Sequence, residues 1–202
     1  MASNIGDRSQ PPSRFALSAL HVDNLPETGL PEIALAGRSN VGKSSLLATI
    51  LRQQRLVRTS RTPGRTRALN LFVFEERLAL VDLPGYGYAR LPKSERSRLK
   101  AMLREYLIER DALRGVVLLL DIRREEVSID DRAFAAEVVE HGRQLLIVIT
   151  KADLVGKNRR RQVAQRIERD LGVPEGAAVL CSSVTSEGRD ELVRRFEELL
   201  VA

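Results

Sequence analysis

A chain of 202 residues is long enough for one domain with a sizeable core, and its 43% hydrophobic and 30% charged content is that of an ordinary globular protein. Only 4% of residues are aromatic and tryptophan is absent, which argues against a surface that stacks many unpaired bases. The net charge of +6 and a pI of about 10.0 fit a polyanionic partner, nucleic acid or an anionic membrane, and fit equally an arginine-rich solvated surface.

One cysteine, Cys181, allows neither an internal disulfide nor a cysteine-based zinc site, and it suits a reducing, cytoplasmic setting. Phe15–Val22 is mildly apolar after Arg14, but it is short, holds Ser18 and His21 and lacks a cleavage site, so no signal peptide is expected. The apolar runs at Gly115–Leu120 and Leu145–Ile149 fall far below the roughly 20 residues that span a bilayer and read as buried strands.

In chain order, residues 1–13 are polar with paired prolines and predict a flexible tail ahead of a single domain, 14–202. Arg14–Val22 reads as an edge strand and Asp23–Pro31 as a loop. Glu32–Ala36 is a short apolar strand, followed by a glycine-bounded turn and a helix over Lys43–Leu51. Residues 52–68 form a long basic loop. Leu69–Phe74 and Arg77–Val81 make a hairpin around Glu75-Glu76, and a second glycine-rich loop, Leu83–Leu91, leads to a helix over 93–110. Three more pairs follow: strand Val116–Asp121 with helix 129–141, strand Leu145–Thr150 with helix 157–171, and strand Ala177–Cys181 with helix Gly188–Leu200. Apolar strands alternating with amphipathic helices predict an α/β fold of three layers, with a mostly parallel sheet whose ligands sit at the strands' carboxyl ends.

The motifs fall at those ends. Gly37-Arg38-Ser39-Asn40-Val41-Gly42-Lys43-Ser44 matches G-x-x-x-x-G-K-[ST] between a strand and a helix, with Ser45 just inside that helix. Its backbone amides and helix N-terminus suit phosphate oxygens, Lys43 the β and γ phosphates, and the Ser44 hydroxyl magnesium. Asp82-Leu83-Pro84-Gly85 has the form D-x-x-G, its aspartate reaching magnesium through water and the Gly85 amide sensing a γ phosphate. Thr150-Lys151-Ala152-Asp153 places a carboxylate to accept from guanine N1–H and the 2-amino group, a pattern adenine cannot satisfy. The Lys151 stem can cover the base, and Thr150 offers only a hydroxyl where asparagine is more usual. Cys181-Ser182-Ser183 would bring backbone amides to the guanine O6; alone it also reads as a helix cap. In the loop between the first two motifs, Gly64-Arg65-Thr66-Arg67-Ala68 offers Thr66 as a magnesium ligand in the γ-phosphate state, with Thr62 the fallback. Four motifs in this order describe a magnesium-dependent P-loop GTPase that binds GTP and GDP; a P-loop kinase is disfavoured by Thr150–Asp153.

The segments Gly37–Ser45, Thr62–Arg67, Asp82–Ala89 and Thr150–Asp153 together closely resemble the EngB (YihA/YsxC) family of the TrmE–Era–EngA–YihA–septin GTPase group, from about Arg14 to the C-terminus. The resemblance implies a Ras-like G domain acting in assembly of the large ribosomal subunit, and a requirement in cell division and septation. The motifs themselves give a catalytic set of Lys43, Thr66 and Gly85 and a metal set of Ser44, Thr66 and Asp82.

Where many GTPases carry a water-orienting glutamine, this chain has Tyr86, and His21 and His141 lie outside every motif. Slow intrinsic hydrolysis is therefore expected, completed by a partner or by a cation. Asn40 makes potassium a candidate, set against a purely structural role in the loop. Arg52, Arg55, Arg58, Arg61, Arg65 and Arg67 have no acid among them and suit ribosomal RNA in the large subunit or its precursor. The Lys157, Arg159, Arg160, Arg161 and Arg166 cluster reads as a solvated helix face and is next in line as an RNA contact. No membrane insertion is expected, and the chain should be monomeric. A nucleotide-gated binding module whose hydrolysis is incidental is the competing class.

Overall fold

The computed structural model describes residues 13–53, 68–86, 92–124 and 126–201. The strands are β1 (Arg14–Ala19), β2 (Glu32–Gly37), β3 (Leu69–Phe74), β4 (Leu78–Asp82), β5 (Leu113–Asp121), β6 (Gln144–Thr150) and β7 (Val179–Leu180). The helices are α1 (Lys43–Ile50), α2 (Lys93–Glu109), α3 (Ile129–Glu140), α4 (Lys157–Leu171) and α5 (Arg189–Val201). One sheet holds all seven strands in the order β1-β3-β4-β2-β5-β6-β7. β1, β3 and β4 form an antiparallel meander at one side, and β4, β2, β5, β6 and β7 run parallel. The expected three-layer α/β architecture and nearly every predicted element are present. The edge strand stops at Ala19 and a short 3-10 turn, Val22–Asn24, follows it. β7 is shorter than the predicted Ala177–Cys181 because only Val148 and Ile149 of β6 offer it partners.

The core explains the layering. In β2, Ile33 and Leu35 face one side with α1 and α5, where Leu46, Leu47, Ile50, Leu192 and Phe196 pack. Ala34 and Ala36 face the other side, with Tyr106 and Leu107 of α2, Phe134 and Val138 of α3, and Val163 and Ile167 of α4. Period-two alternation thus sends each central strand into both apolar layers, which is why these strands read as unbroken hydrophobic runs. The β3–β4 hairpin turns at Glu75 and Glu76 with φ of 53 and 52°, the left-handed pair of a type I′ turn, closed by Arg77 N–H donating to Phe74 O at 3.1 Å.

At the amino-terminal edge of β2, away from the motifs, the Glu32 carboxylate is wholly buried. Arg110 grips it with Nη2 at 2.6 Å and Nε at 3.0 Å, and Tyr106 donates its hydroxyl at 3.0 Å. The remaining Arg110 donors reach Pro26 O at 2.6 Å and Leu25 O at 3.4 Å. Burial first, then the Glu32 carboxylate, push the Tyr106 phenol well above the usual tyrosine range. Arg110→Ala leaves that carboxylate buried without its cation, so unfolding free energy should fall by about 3–5 kcal/mol and Tm by roughly 10 °C. Thermal and denaturant unfolding check this, with nucleotide affinity of the folded variant expected to stay unchanged.

Candidate nucleotide site

The carboxyl ends of β2, β4, β5 and β6 finish at one edge: Gly37 pairs with Leu119, Leu35 with Asp82, and Asp121 with Thr150. The described residues of the four motifs lie along this edge. Gly37–Ser44 runs from β2 into α1 through a sharp loop in which Asn40 has φ 63° and Gly42 φ 106°, the latter a conformation that disfavours any side chain. Gly42 O accepts from Leu46 N at 2.9 Å to start α1. The far end of α1 is fixed by Arg189, whose Nε and Nη2 donate to Thr49 O at 3.1 Å and Ile50 O at 3.0 Å. A buried cation on those carbonyls complements the helix dipole and holds the loop's helix in place.

Lys43 is nearly buried and turned toward β4, its Nζ 3.2 Å from Asp82 Oδ1. That contact lacks hydrogen-bonding geometry, and among the described residues Asp82 Oδ1 is a buried acceptor with no hydrogen bond. After Asp82-Leu83-Pro84-Gly85 the chain rejoins the loop, with Tyr86 bridging Arg38 in parallel fashion. Tyr86 is buried with its ring 5.1 Å from that of Phe134 in α3. Burial, then the nearby Asp131 carboxylate, push its phenol well above the tyrosine range. The side chain that stands in the glutamine position therefore belongs to the core against α3.

Across the edge, the Thr150 hydroxyl lies 2.6 Å from Val41 O and 3.1 Å from Leu120 O, so it ties β6 to the phosphate-type loop and to β5. The hydroxyl of Thr150 thus serves as a tether between these segments. Lys151 has φ 62° and sends Nζ back to Asn40 O and to Asp121 Oδ2, each at 2.7 Å. The Asp121 carboxylate also accepts from Arg123 N at 3.1 Å, Nε at 2.9 Å and Nη2 at 2.6 Å. Burial pushes this acid up, but the bonds from Arg123 and Lys151 outweigh it and hold it well below the usual carboxylate range.

Asp153 Oδ1 accepts the Ser182 hydroxyl at 2.6 Å, and Ser182 Oγ in turn accepts from Val184 N and Thr185 N at 3.2 Å. The amides of Cys181 and Ser182 donate to Ile149 O at 2.8 Å and Glu187 O at 3.0 Å. That corrects the expectation of several amides at 181–183 free to meet a base: these two are already used. The 182–187 loop folds back over β7 because Gly188 has φ 78° and a β-carbon there would stand 2.0 Å from Leu180 O. The Cys181 thiol is buried and pushed up to about 12, chiefly by burial, so it is no nucleophile.

Sequence reasoning missed Asp121 as a site residue and Ser182 as a side-chain partner of Asp153. A carboxylate closing an otherwise apolar parallel strand was the signal for the first. Gly64, Arg65, Thr66 and Arg67 lie outside the described residues, as do Thr62, Arg55, Arg58 and Arg61; Ala68 stands just before β3. In the basic helix, Arg160 meets Glu187 at 2.8 Å and Arg166 meets Glu126 at 3.2 Å, while Lys157, Arg159 and Arg161 are exposed.

The family model described as 50S ribosome-binding GTPase matches residues 32–151, from β2 through Lys151. A probable GTP-binding protein EngB of Anaeromyxobacter sp. (strain K) is 44% identical over 194 residues, covering 92% of this chain and 89% of the relative. This chain belongs to the EngB family of GTP-binding proteins. A second EngB relative, from Geotalea daltonii, is 43% identical over 188 residues, covering 93% and 90%. Among solved structures, the fold is shared with a probable GTP-binding protein engB (TM-score 0.69, 24% identity, 83% of this chain and 97% of that one). It is also shared with Aquifex aeolicus Era bound to GDP.AlF4- (TM-score 0.64, 19% identity, 84% and 56%). No described helix is long and apolar enough to cross a membrane.

Proposed function

We propose that this EngB-family chain is a GTP-driven switch with slow intrinsic hydrolysis that acts on the large ribosomal subunit or its precursor during assembly. The observation that supports it most is the closed edge itself: Thr150 and Lys151, beside the base-reading Asp153, are bonded directly to the loop at Asn40 and Val41. Base recognition and phosphate binding are thereby one rigid unit, which suits a whole guanine nucleotide better than an isolated phosphate. The family's description as 50S ribosome-binding supports the partner.

In this reading the amides of Asn40 and of residues 42–44 receive the phosphates, that of Val41 being bonded to Arg38 O, and Lys43 turns from Asp82 to neutralise them. Asp153 accepts from the guanine N1–H and 2-amino group, the Lys151 stem lies over the ring, and the Ser183 amide meets O6, since those of Cys181 and Ser182 are committed. The buried acceptor at Asp82 Oδ1 fits the surroundings of a divalent cation, which Ser44 directly and Asp82 through water would hold with Thr66 in the GTP form. Magnesium would supply charge neutralisation across the β and γ phosphates. Gly85 is the γ-phosphate sensor, and potassium near Asn40 is the candidate for the missing positive group. Residues 14–202 act as one GTPase domain in the cytoplasm. A direct septation role has no specific support here.

Tyr86, packed against Phe134, favours slow hydrolysis and so keeps the nucleotide-gated binding module alive as a second reading. Co-sedimentation with separated ribosomal subunits tests the switch: large-subunit binding should be stronger with GTP than GDP. Log affinity against log salt should fall by somewhat under one unit per phosphate neutralised. Equal binding of both forms would reject the switch. Single-turnover hydrolysis with and without subunits, in potassium and in sodium, separates the enzyme from the module.

A further inference from the structure

We propose that Asp121 is a positioning residue for nucleotide binding: its buried carboxylate holds the Lys151 ammonium against the Asn40 carbonyl and so fixes the platform on which a purine base lies. The proposal rests on the guanine-site reading above and adds to it a residue outside all four motifs.

Topology puts Asp121 there. It is the last residue of β5 and pairs in register with Thr150, so Lys151 is the first residue beyond the sheet edge at the same level. Lys151 sits in the left-handed region at φ 62°, and so does its acceptor Asn40 at φ 63°. Asparagine adopts that conformation readily, whereas for a lysine it is uncommon and needs support from its surroundings. Here one ammonium links the two left-handed residues. Its bonds to Asn40 O and Asp121 Oδ2, both 2.7 Å, pull the four-carbon stem across the gap between the base corner and the phosphate-type loop.

The acid is committed to this geometry. Its side chain is 5% exposed, and it accepts four hydrogen bonds, three from Arg123 and one from Lys151. That fills the acceptor capacity of a carboxylate. Arg123 alone would neutralise the charge, and its side chain is 55% exposed, on the solvent side of the pair. The bond to Lys151 is the one that reaches the other loop. Without it, the lysine stem regains rotamer freedom that a nucleotide must then remove on binding.

The test is a double-mutant cycle read by GDP and GTP affinity. Asp121→Asn keeps the shape and removes the charge; both affinities should fall about tenfold, as for loss of a hydrogen bond to a charged group. The loss should be equal for GDP and GTP, because Lys151 lies over the base and not at the γ phosphate. In a Lys151→Ala background, adding Asp121→Asn should change affinity by less than about twofold. A merely structural acid would weaken binding equally in both backgrounds, and that result overturns the proposal, as does unchanged affinity for Asp121→Asn alone. If Lys151→Ala itself leaves affinity intact, the base platform is misplaced and the proposal falls with it. Lys151→Ala weakening binding while Asp121→Asn does not refutes the proposal alone. Should Asp121→Asn fail to fold, Asp121→Glu enters the same cycle, and its smaller loss must likewise vanish with Lys151→Ala.

Discussion

Lys43→Ala should lose binding of GTP and GDP by on the order of 100-fold or more, the cost of withdrawing a charge-assisted donor from the phosphates with no substitute nearby. The structure adds a second consequence. Lys43 Nζ is the charged neighbour of Asp82 Oδ1 at 3.2 Å, and that oxygen has no hydrogen bond among the described residues. Removing the lysine strands a buried carboxylate, so the variant unfolded without added nucleotide should also be less stable, by about 3 kcal/mol. The two effects separate by substitution. Lys43→Ala with Asp82→Asn should recover most of the stability, because the stranded charge is gone, and none of the nucleotide affinity. Calorimetric titration and thermal unfolding on the same samples measure both. Recovery of affinity in the double variant would show that Lys43 acts only by quieting Asp82, and the assignment of its ammonium to phosphate would be withdrawn.

The sheet and its helices were legible because parallel strands buried on both faces leave unbroken apolar runs. Leu145–Ile149 and Val116–Leu120 could be placed from hydropathy alone. The motifs were legible because phosphate binding demands a local backbone shape, and Gly42 at φ 106° satisfies it within eight consecutive residues. What the sequence hid was long-range. Asp121 is separated from Lys151 by 30 residues and Asp153 from Ser182 by 29. The β5–β6 register brings the first pair together, and the β6–β7 pairing, continued by Ala152 N donating to Cys181 O at 3.0 Å, the second. The direction of Tyr86 was hidden for the same reason: its place after D-x-x-G says nothing of Phe134, which arrives from another crossover. The amides at Cys181 and Ser182 were misjudged because their acceptors, Ile149 O and Glu187 O, are backbone groups with no signature in side-chain identity.

The same long-range contact sharpens the guanine prediction. Asp153→Asn should weaken GTP and GDP by at least 100-fold and improve xanthine nucleotide binding to a comparable degree, since a site built for one hydrogen-bond pattern rejects its mismatch strongly. Ser182 decides whether the reversal is clean. Its oxygen already accepts from Val184 N and Thr185 N, so its hydroxyl proton is the one group it can offer residue 153. That proton goes to Asp153 Oδ1 at 2.6 Å. A new amide at 153 must therefore turn its oxygen toward Ser182 and its NH2 toward the base, where it meets the xanthine 2-oxo group as a donor. In Asp153→Asn with Ser182→Ala the amide loses that constraint and can present either end. Discrimination between XTP and GTP should then shrink toward unity, while the single variant prefers XTP. Competition of XTP, GTP and ATP against a fluorescent GDP reads all three preferences. If Asp153→Asn keeps the original order of GTP over XTP, the base does not lie at this corner. If the Ser182→Ala addition leaves the XTP preference whole, Asp153 is oriented by something other than the Ser182 hydroxyl.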